Sequence, residues 1–143
     1  KADYDRVQVR DPRGRTQIIP VVPDSYFVIE IPGRGQARFF IELDRGTMSL
    51  ERFRHKVHGY VAYYKSGLYS QRYEGKGFRV LTVVDTPGRI RMKNLVEQAG
   101  LVPGIGKRFW FGHLPELQPE TVLHQPVWTV AGEGEGYPLI DQA

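Results

Sequence analysis

The feature that most constrains the fold is the run from Phe78 to Val84, F-R-V-L-T-V-V, which is apolar at almost every position. A strand with one face in water alternates apolar and polar residues, whereas a near-continuous apolar run is typical of a strand inside a sheet that is covered on both faces. Pro87 follows the run and suits the first turn of a helix, which we predict from Arg89 to Ala99, ending at Gly100. The run therefore indicates a buried strand joined to a helix.

A hairpin and a long helix are predicted before this strand. Residues Tyr26 to Ile31 are aromatic and β-branched, Pro32 to Gly35 form a turn signal, and the strand pattern resumes from Ala37 to Leu43. Apolar residues then recur at spacings of three and four from Met48 to Lys65, after Thr47 as a candidate N-cap. These patterns predict a β-hairpin followed by an amphipathic helix.

The remaining segments give weaker signals. Short strands are predicted around Arg6–Val9 and Gln17–Val22, a strand at Lys107–Phe111 and an edge strand at Val127–Val130. Residues Gly132–Gly136 are expected to form a flexible loop. The resulting order of hairpin, helix, strand, helix and strand predicts an α/β fold with a mixed β-sheet flanked by helices.

Composition excludes several kinds of site. A chain of 143 residues fits one domain with a real core, and residues 1–143 are interpreted as a single domain. Because there is no cysteine, disulfides, thiolate zinc sites and cysteine nucleophiles are excluded. The four histidines show no tight metal-binding spacing. No apolar run approaches the roughly 20 residues of a membrane helix, so we expect no membrane partner and a cytoplasmic location.

The charge distribution favours a polyanionic partner. The formal net charge is +4 and the pI is about 9.4. The basic residues gather in three groups: Arg6, Arg10, Arg13 and Arg15; Arg45 to Lys56; and Arg89, Arg91 and Lys93. Such clusters are typical of nucleic-acid-binding proteins, although a solvated basic surface is the alternative.

Two carboxylates stand at the end of an apolar strand. Glu42 and Asp44 are two residues apart and so share one face of the strand, and Asp24 lies at the head of the partner strand. Three clustered carboxylates repel one another unless a cation lies among them, and oxygen ligands suit Mg²⁺ or Mn²⁺. The alternative is that Arg45, Arg52 or Arg54 pairs with the acids structurally.

These residues resemble a known superfamily. Pro23-Asp24, then Glu42-Leu43-Asp44, a helix and a buried strand are similar to the PD-(D/E)XK nucleases, which have the restriction-endonuclease-like fold. The segments F-F-I-E-L-D-R-G-T, R-F-R-H-K-V-H-G-Y-V-A-Y-Y, F-R-V-L-T-V-V, F-W-F-G and P-V-W resemble the bacterial replication-relaxation family, which is linked to plasmid replication. The resemblance covers residues 20–130.

The resemblance implies a core of the order αβββαβ, whose first helix can be missing from this chain. It also implies that Asp24 and Glu42 carry a metal, with a lysine beside the attacking water. Asp44 occupies the position of that lysine. Lys56 on the following helix is the candidate replacement; alternatively Asp44 is a third metal ligand, or the site is inactive and the fold only binds DNA. A winged-helix region is expected before the domain, so the chain is interpreted as a fragment of a longer protein.

Three functions remain open at this point. The first is an endodeoxyribonuclease in plasmid or mobile-element DNA processing, in which the metal is Mg²⁺ or Mn²⁺. Its predicted catalytic residues are Asp24, Glu42, Asp44 and Lys56, and its predicted metal ligands are Asp24, Glu42 and Asp44. The second is a catalytically inactive DNA-binding module in replication control, and the third is a protein-interaction domain. The residues predicted to contact DNA are Arg45, Arg52, Arg54 and Lys56.

We expect DNA as the main partner, with a second copy of the chain or replication proteins as further candidates. The tyrosines near the end of the long helix, including Tyr60, Tyr63, Tyr64 and Tyr69, are open to two interpretations. They could stack on bases, but a stripe at helical spacing is more often part of the core.

Overall fold

The computed structural model describes residues 4–73, 75 and 77–141. The strands are β1 (Asp5–Arg10), β2 (Thr16–Val21), β3 (Ser25–Ile31), β4 (Gly35–Asp44), β5 (Arg79–Val84), β6 (Phe109–His113), β7 (Trp128–Val130) and β8 (Gly134–Tyr137). The helices are α1 (Leu50–Ser66), α2 (Leu68–Arg72) and α3 (Ile90–Gly100), and a short 3₁₀ helix spans Leu114–Glu116. Among the described residues, no helix is both long and apolar enough to cross a membrane.

The main sheet has six strands in the order β3-β4-β5-β6-β7-β8. Strands β4, β5 and β6 are parallel, and the pairs β3/β4, β6/β7 and β7/β8 are antiparallel. Helices α1 and α2 connect β4 to β5, and α3 connects β5 to β6. The predicted α/β fold with a mixed sheet is confirmed.

All three helices cover the same face of the sheet. Both parallel crossovers step in one direction along the sheet, and their usual right-handedness places their helices on one side. The core on this face is rich in aromatic side chains, including Phe40, Tyr60, Tyr69 and Phe78. Tyr60, Tyr63 and Tyr69 are buried in this core, and Tyr64 is half-buried beside it. The helical spacing indicated Tyr60 but not the burial of Tyr63.

Among the described residues, no α-helix covers the opposite face. Its core contains Phe39, Leu81, Trp110 and Trp128, and it is closed by irregular chain after β6 and by the segment after β8. Strand β5 is thus buried on both faces, as its apolar run predicted, although the helices flank the sheet on one face only. The reason is that the return from β6 is antiparallel, so it needs no crossover helix.

The first two strands form a separate two-stranded sheet that packs against α1. Ile19 of β2 is buried at this contact. A Cβ atom at Gly59 of α1 would lie 2.8 Å from Ile19 Cγ2, which is closer than carbon atoms approach. Gly59 therefore allows the hairpin to approach the helix.

Several predicted boundaries differ from those observed. The N-cap of α1 is Ser49 and not Thr47. The Ser49 hydroxyl accepts a hydrogen bond from the Arg52 amide at 3.1 Å. Pro87 precedes α3 and does not lie in its first turn. The glycine-rich loop contains β8, so β7 is not an edge strand. Glycine carries no side-chain pattern, yet its backbone groups pair in a sheet like those of other residues.

Candidate functional site

A basic groove of about 880 Å³ lies between the β1–β2 hairpin and α1. Its charged and titratable lining residues are Arg10, Asp11, Glu51, Arg52, Arg54, His55, Lys56 and His58. Asp11 is already paired with Arg15, whose Nε lies 3.1 Å from Asp11 Oδ2. Because cations outnumber acids on the lining, the groove favours an anionic occupant.

Helix α1 supplies most of the charged and titratable lining because its faces are divided. Phe53, Val57 and Tyr60 are buried against the sheet, and the polar residues between them line the groove. Arg52 is exposed and Lys56 is half-buried. The groove is therefore the polar face of the amphipathic helix that the sequence predicted.

The predicted DNA-contacting residues do not all lie in the groove. Arg52, Arg54 and Lys56 line it, whereas Arg45 is exposed beyond the end of β4 and is not part of the lining. Arg54 also donates a hydrogen bond to Gln98 Oε1 of α3 at 2.5 Å. Arg10, on the facing hairpin, belongs to the same surface and was predicted only as part of a general basic cluster.

Glu42 lies beneath the groove wall and is only 6% exposed. Lys56 Nζ is 2.5 Å from Glu42 Oε1, and the Tyr60 hydroxyl donates to Glu42 Oε2. Burial raises the pKa of Glu42 more than the Lys56 ammonium lowers it, and the charge of Asp24 raises it further. Burial and the adjacent Glu42 carboxylate raise the pKa of Tyr60 well above its ordinary value.

Asp44 has a different set of partners. Its Oδ1 and Oδ2 accept hydrogen bonds from Arg91 Nε at 2.8 Å and Arg91 Nη2 at 2.7 Å. Gly46 N also donates to Oδ1 at 2.9 Å, and Arg91 Nη2 donates to Met48 O at 2.8 Å. The structural partner of Asp44 is therefore Arg91 of α3, and not one of the arginines that follow β4.

Asp24 is exposed and lies next to the end of β4. Its Oδ2 accepts a hydrogen bond from Leu43 N at 2.8 Å, and its own amide donates to Ile41 O at 3.0 Å. The carboxylate is near enough to Glu42 to contribute to the raised pKa of that residue. The structure thus brings together Asp24, Glu42 and Lys56.

The three predicted metal ligands do not form one oxygen cluster. Within the part of the chain that the structure describes, no group of three or more histidine, aspartate or glutamate side chains is placed to hold a metal ion. Asp44 is turned toward the Arg91 guanidinium, which occupies both of its oxygens. The set of Asp24, Glu42 and Asp44 therefore does not fit a shared Mg²⁺ or Mn²⁺ in this arrangement.

Two residues of this region were missed in the sequence. Tyr60 follows Lys56 by four positions, so the two lie on neighbouring turns of α1 and reach the same carboxylate. That spacing was a usable signal. Arg91 had none beyond its membership of a basic cluster, because its distance from Asp44 in the sequence conceals the contact.

Comparison with known proteins supports the resemblance to the replication-relaxation family. Residues 6–80, just over half of the chain, match the model of the replication-relaxation family. The matched range includes both hairpins and α1, with Asp24, Glu42, Asp44 and Lys56, and it ends before α3. No curated protein and no solved structure matches the chain. The chain belongs to the replication-relaxation family.

Proposed function

We propose that this domain binds DNA through the basic groove between the β1–β2 hairpin and α1. Family membership points to a role in replication or DNA processing. The observation that carries the proposal is the placement of Arg10 on one wall and of Arg52, Arg54 and Lys56 on the other. Cations on two facing walls can contact phosphates on both sides of a bound strand.

The local charge balance supports this proposal. Glu51 and Asp11 are the acids on the lining, and Asp11 is neutralised by Arg15 within the hairpin turn. Lys56 is paired with Glu42, so the excess of positive charge comes from Arg10, Arg52 and Arg54. Each phosphate that the groove neutralises releases counterions, so affinity should fall steeply with salt, with a slope of about −0.9 per phosphate on duplex DNA. If the basic face is only solvated surface, the affinity for DNA should be low.

The test is a titration of a short labelled DNA duplex, followed by fluorescence anisotropy at several salt concentrations. Arg52→Ser removes an exposed groove cation and should weaken binding and reduce the salt slope by about 1. Lys107→Ser removes an exposed lysine on the other face of the sheet and is the matched control. Equal losses in the two variants would show that net charge, and not the groove, determines binding.

Phosphodiester cleavage is the second candidate function. It rests on the contact between Lys56 and Glu42 at the groove wall, with Asp24 beside them. These are the residue types that the PD-(D/E)XK resemblance implies, with the lysine moved from the strand to the helix. Asp44 is engaged by Arg91, so this candidate uses Asp24 and Glu42 as its carboxylates, and its Mg²⁺ or Mn²⁺ is a proposal.

Cleavage is tested by incubating plasmid DNA with the protein and Mg²⁺ or Mn²⁺. Asp24→Asn and Glu42→Gln should each abolish cutting while duplex binding persists, and Glu120→Gln, an exposed loop change, should leave it intact. Calorimetric titration of the metals into wild type and Glu42→Ala gives an independent readout. If wild type does not cut and the two proteins show the same heat, the nuclease candidate fails and the binding proposal stands.

Association with a second copy of the chain or with replication proteins is also a proposal. Sedimentation of the protein alone and with DNA measures self-association directly. A single monomeric species under both conditions would exclude the homodimer.

A further inference from the structure

A second pocket lies on the other face of the sheet from the basic groove. It has a volume of about 490 Å³ and is formed by the β3–β4 turn, the start of β5, the residue Lys107 before β6 and the chain after β8. Pockets of about 300–1,000 Å³ are the usual size for small-molecule sites. The family resemblance assigns no role to this part of the molecule.

Arg79 forms the base of this pocket. The carbon at the centre of its guanidinium lies 4.7 Å from the ring centroids of both Phe39 and Trp110, so the group is held between two aromatic rings. Its Nη1 donates to Leu139 O at 3.0 Å. Among the described residues, no carboxylate lies within 4.0 Å of it.

The unpaired position of Arg79 has an energetic consequence. A guanidinium carries five N–H donors, and one of its nitrogens is engaged by Leu139. Burial lowers the pKa of Arg79, which the charge of Asp141 partly offsets. A half-buried cation without an ion-pair partner is costly, and an anion that enters the pocket would relieve that cost.

The rim of the pocket adds two more cations. Arg34 and Lys107 are exposed there, together with the acids Glu133 and Asp141. Lys107 Nζ is 3.8 Å from Glu133 Oε1, and Arg34 donates to the backbone oxygen of Asp141. Three cations therefore face two carboxylates, which leaves an excess of positive charge around Arg79.

The wall of the pocket is aromatic. The rings of Trp110 and Tyr137 pack edge to face with centroids 6.0 Å apart. Trp110 Nε1 donates to Lys107 O at 2.6 Å, which ties the aromatic wall to the cationic rim. An arginine fork beside a flat apolar surface suits a ligand with an anionic group attached to a ring.

We propose that this pocket binds a small phosphomonoester, with Arg79 holding the phosphate and Arg34 and Lys107 closing around it. A phosphomonoester carries about −1.5 to −2 charges and three acceptor oxygens, which match the three cations better than a carboxylate does. The proposal does not depend on DNA binding in the groove, since the two sites lie on different faces of the sheet.

Trp110 provides the readout. The chain has two tryptophans, and Trp110 lines the pocket whereas Trp128 does not, so Trp110 reports changes in the pocket. Intrinsic fluorescence is measured during titration with inorganic phosphate, with deoxyadenosine monophosphate and with acetate at constant ionic strength. We expect saturable changes with both phosphates and none with acetate; tighter binding of the nucleotide would show that the aromatic wall contributes.

The variants locate the site. Arg79→Lys keeps the charge but removes the planar fork and should weaken phosphate binding by about tenfold. Arg34→Ser and Lys107→Ser change exposed residues and should each weaken it by about threefold. Arg52→Ser, in the groove, is the control and should leave phosphate binding unchanged while it weakens duplex binding.

Three outcomes would overturn the proposal. These are the absence of a saturable change, an equal response to acetate, and unchanged phosphate affinity in both Arg34→Ser and Lys107→Ser. If circular dichroism shows that Arg79→Lys is unfolded, the two surface variants still decide. If the wild-type protein binds phosphate but not the DNA duplex, the groove proposal fails and the proposal for this pocket stands.

Discussion

Two carboxylates on one strand are equally buried, but the cations that pair with them differ in their exposure. Glu42 and Asp44 point to the same face of β4 and are 6% and 7% exposed. Glu42 is held by the Lys56 amine and the Tyr60 hydroxyl, and the Lys56 side chain is 35% exposed on the groove. Asp44 is held by both nitrogens of the Arg91 fork, and the Arg91 side chain is only 16% exposed.

The difference shows that equal burial does not imply equal function. An arginine fork matches a carboxylate geometrically and stays charged, so the Asp44–Arg91 pair is suited to joining β4 to α3. A lysine is a point charge on a flexible stem, and the raised pKa of Glu42 makes this carboxyl easier to protonate. Glu42 is therefore the carboxylate next to the groove whose protonation state and contact with lysine can change, and Asp44 is the structural carboxylate.

The largest expected effect is on the structural pair. Arg91→Met leaves Asp44 buried without its cation and should lower the free energy of unfolding by about 3–5 kcal/mol. Urea denaturation at neutral pH measures this change, and Arg91→Lys, which keeps the charge without the fork, should cost less. A loss below that of Lys56→Met would reverse the roles assigned to the two carboxylates.

Lys56→Met should have a smaller effect, about 2–3 kcal/mol by the same measurement. Glu42 keeps the hydrogen bond from Tyr60 and can take up a proton, so its charge need not stay unpaired. Because Lys56 lines the groove and Arg91 does not, this variant should also weaken duplex binding. Unchanged DNA affinity would show that the Glu42–Lys56 pair does not contribute to DNA binding in the groove.

Tyr60→Phe removes one hydroxyl and keeps the ring in the core. The expected loss is about 1.5–2 kcal/mol, the lower part of the range of about 1.5–3 kcal/mol for a hydrogen bond to a charged group. Tyr63→Phe is a useful comparison, because the Tyr63 hydroxyl donates to the less buried Asp5 at 2.5 Å and should contribute less. Equal losses would show that burial of the acceptor does not set the size of the effect.

The smallest effect is in the pH dependence. The pKa of Glu42 is raised in the folded protein, so the folded state binds this proton more tightly than the unfolded chain. The contribution is fully present below the ordinary value of 4.5 and is lost as the pH rises through the raised folded value. The slope stays below about 1.4 kcal/mol per pH unit for one proton.

Urea denaturation of wild type and Glu42→Gln across this range isolates that term. The difference between their free energies of unfolding should change with pH, with wild type losing stability relative to the variant as the pH rises. A pH-independent difference would mean that Glu42 has the same pKa in both states.

Much of the fold could be predicted because its signals are local. The β3–β4 hairpin, the amphipathic α1 and the buried β5 each follow from the period of their own apolar residues. Ser49 as the cap of α1 and β8 within the glycine-rich segment were missed. The cap is selected by the hydrogen bond from the Arg52 amide to the Ser49 hydroxyl, and β8 forms because its backbone pairs with β7.

The candidate site was predictable only in part. The shared face of Glu42 and Asp44 follows from strand geometry. Lys56 of the next helix contacts Glu42, and its catalytic role stays a prediction. The pairing of Asp44 with Arg91 joins residues 47 positions apart, which no local pattern reports. That single contact removes Asp44 from the predicted oxygen cluster.

The sequence by itself determined the α/β order, the basic face of α1 and the placement of two acids on one side of β4, because each depends on periods of two or 3.6 residues along the chain. Tertiary structure alone decided which cation meets which acid, and that Arg10 faces α1 across a groove. It also placed Arg79 between Phe39 and Trp110 at the base of a pocket. These outcomes depend on how distant elements pack, and packing is set by side-chain shape across the whole core.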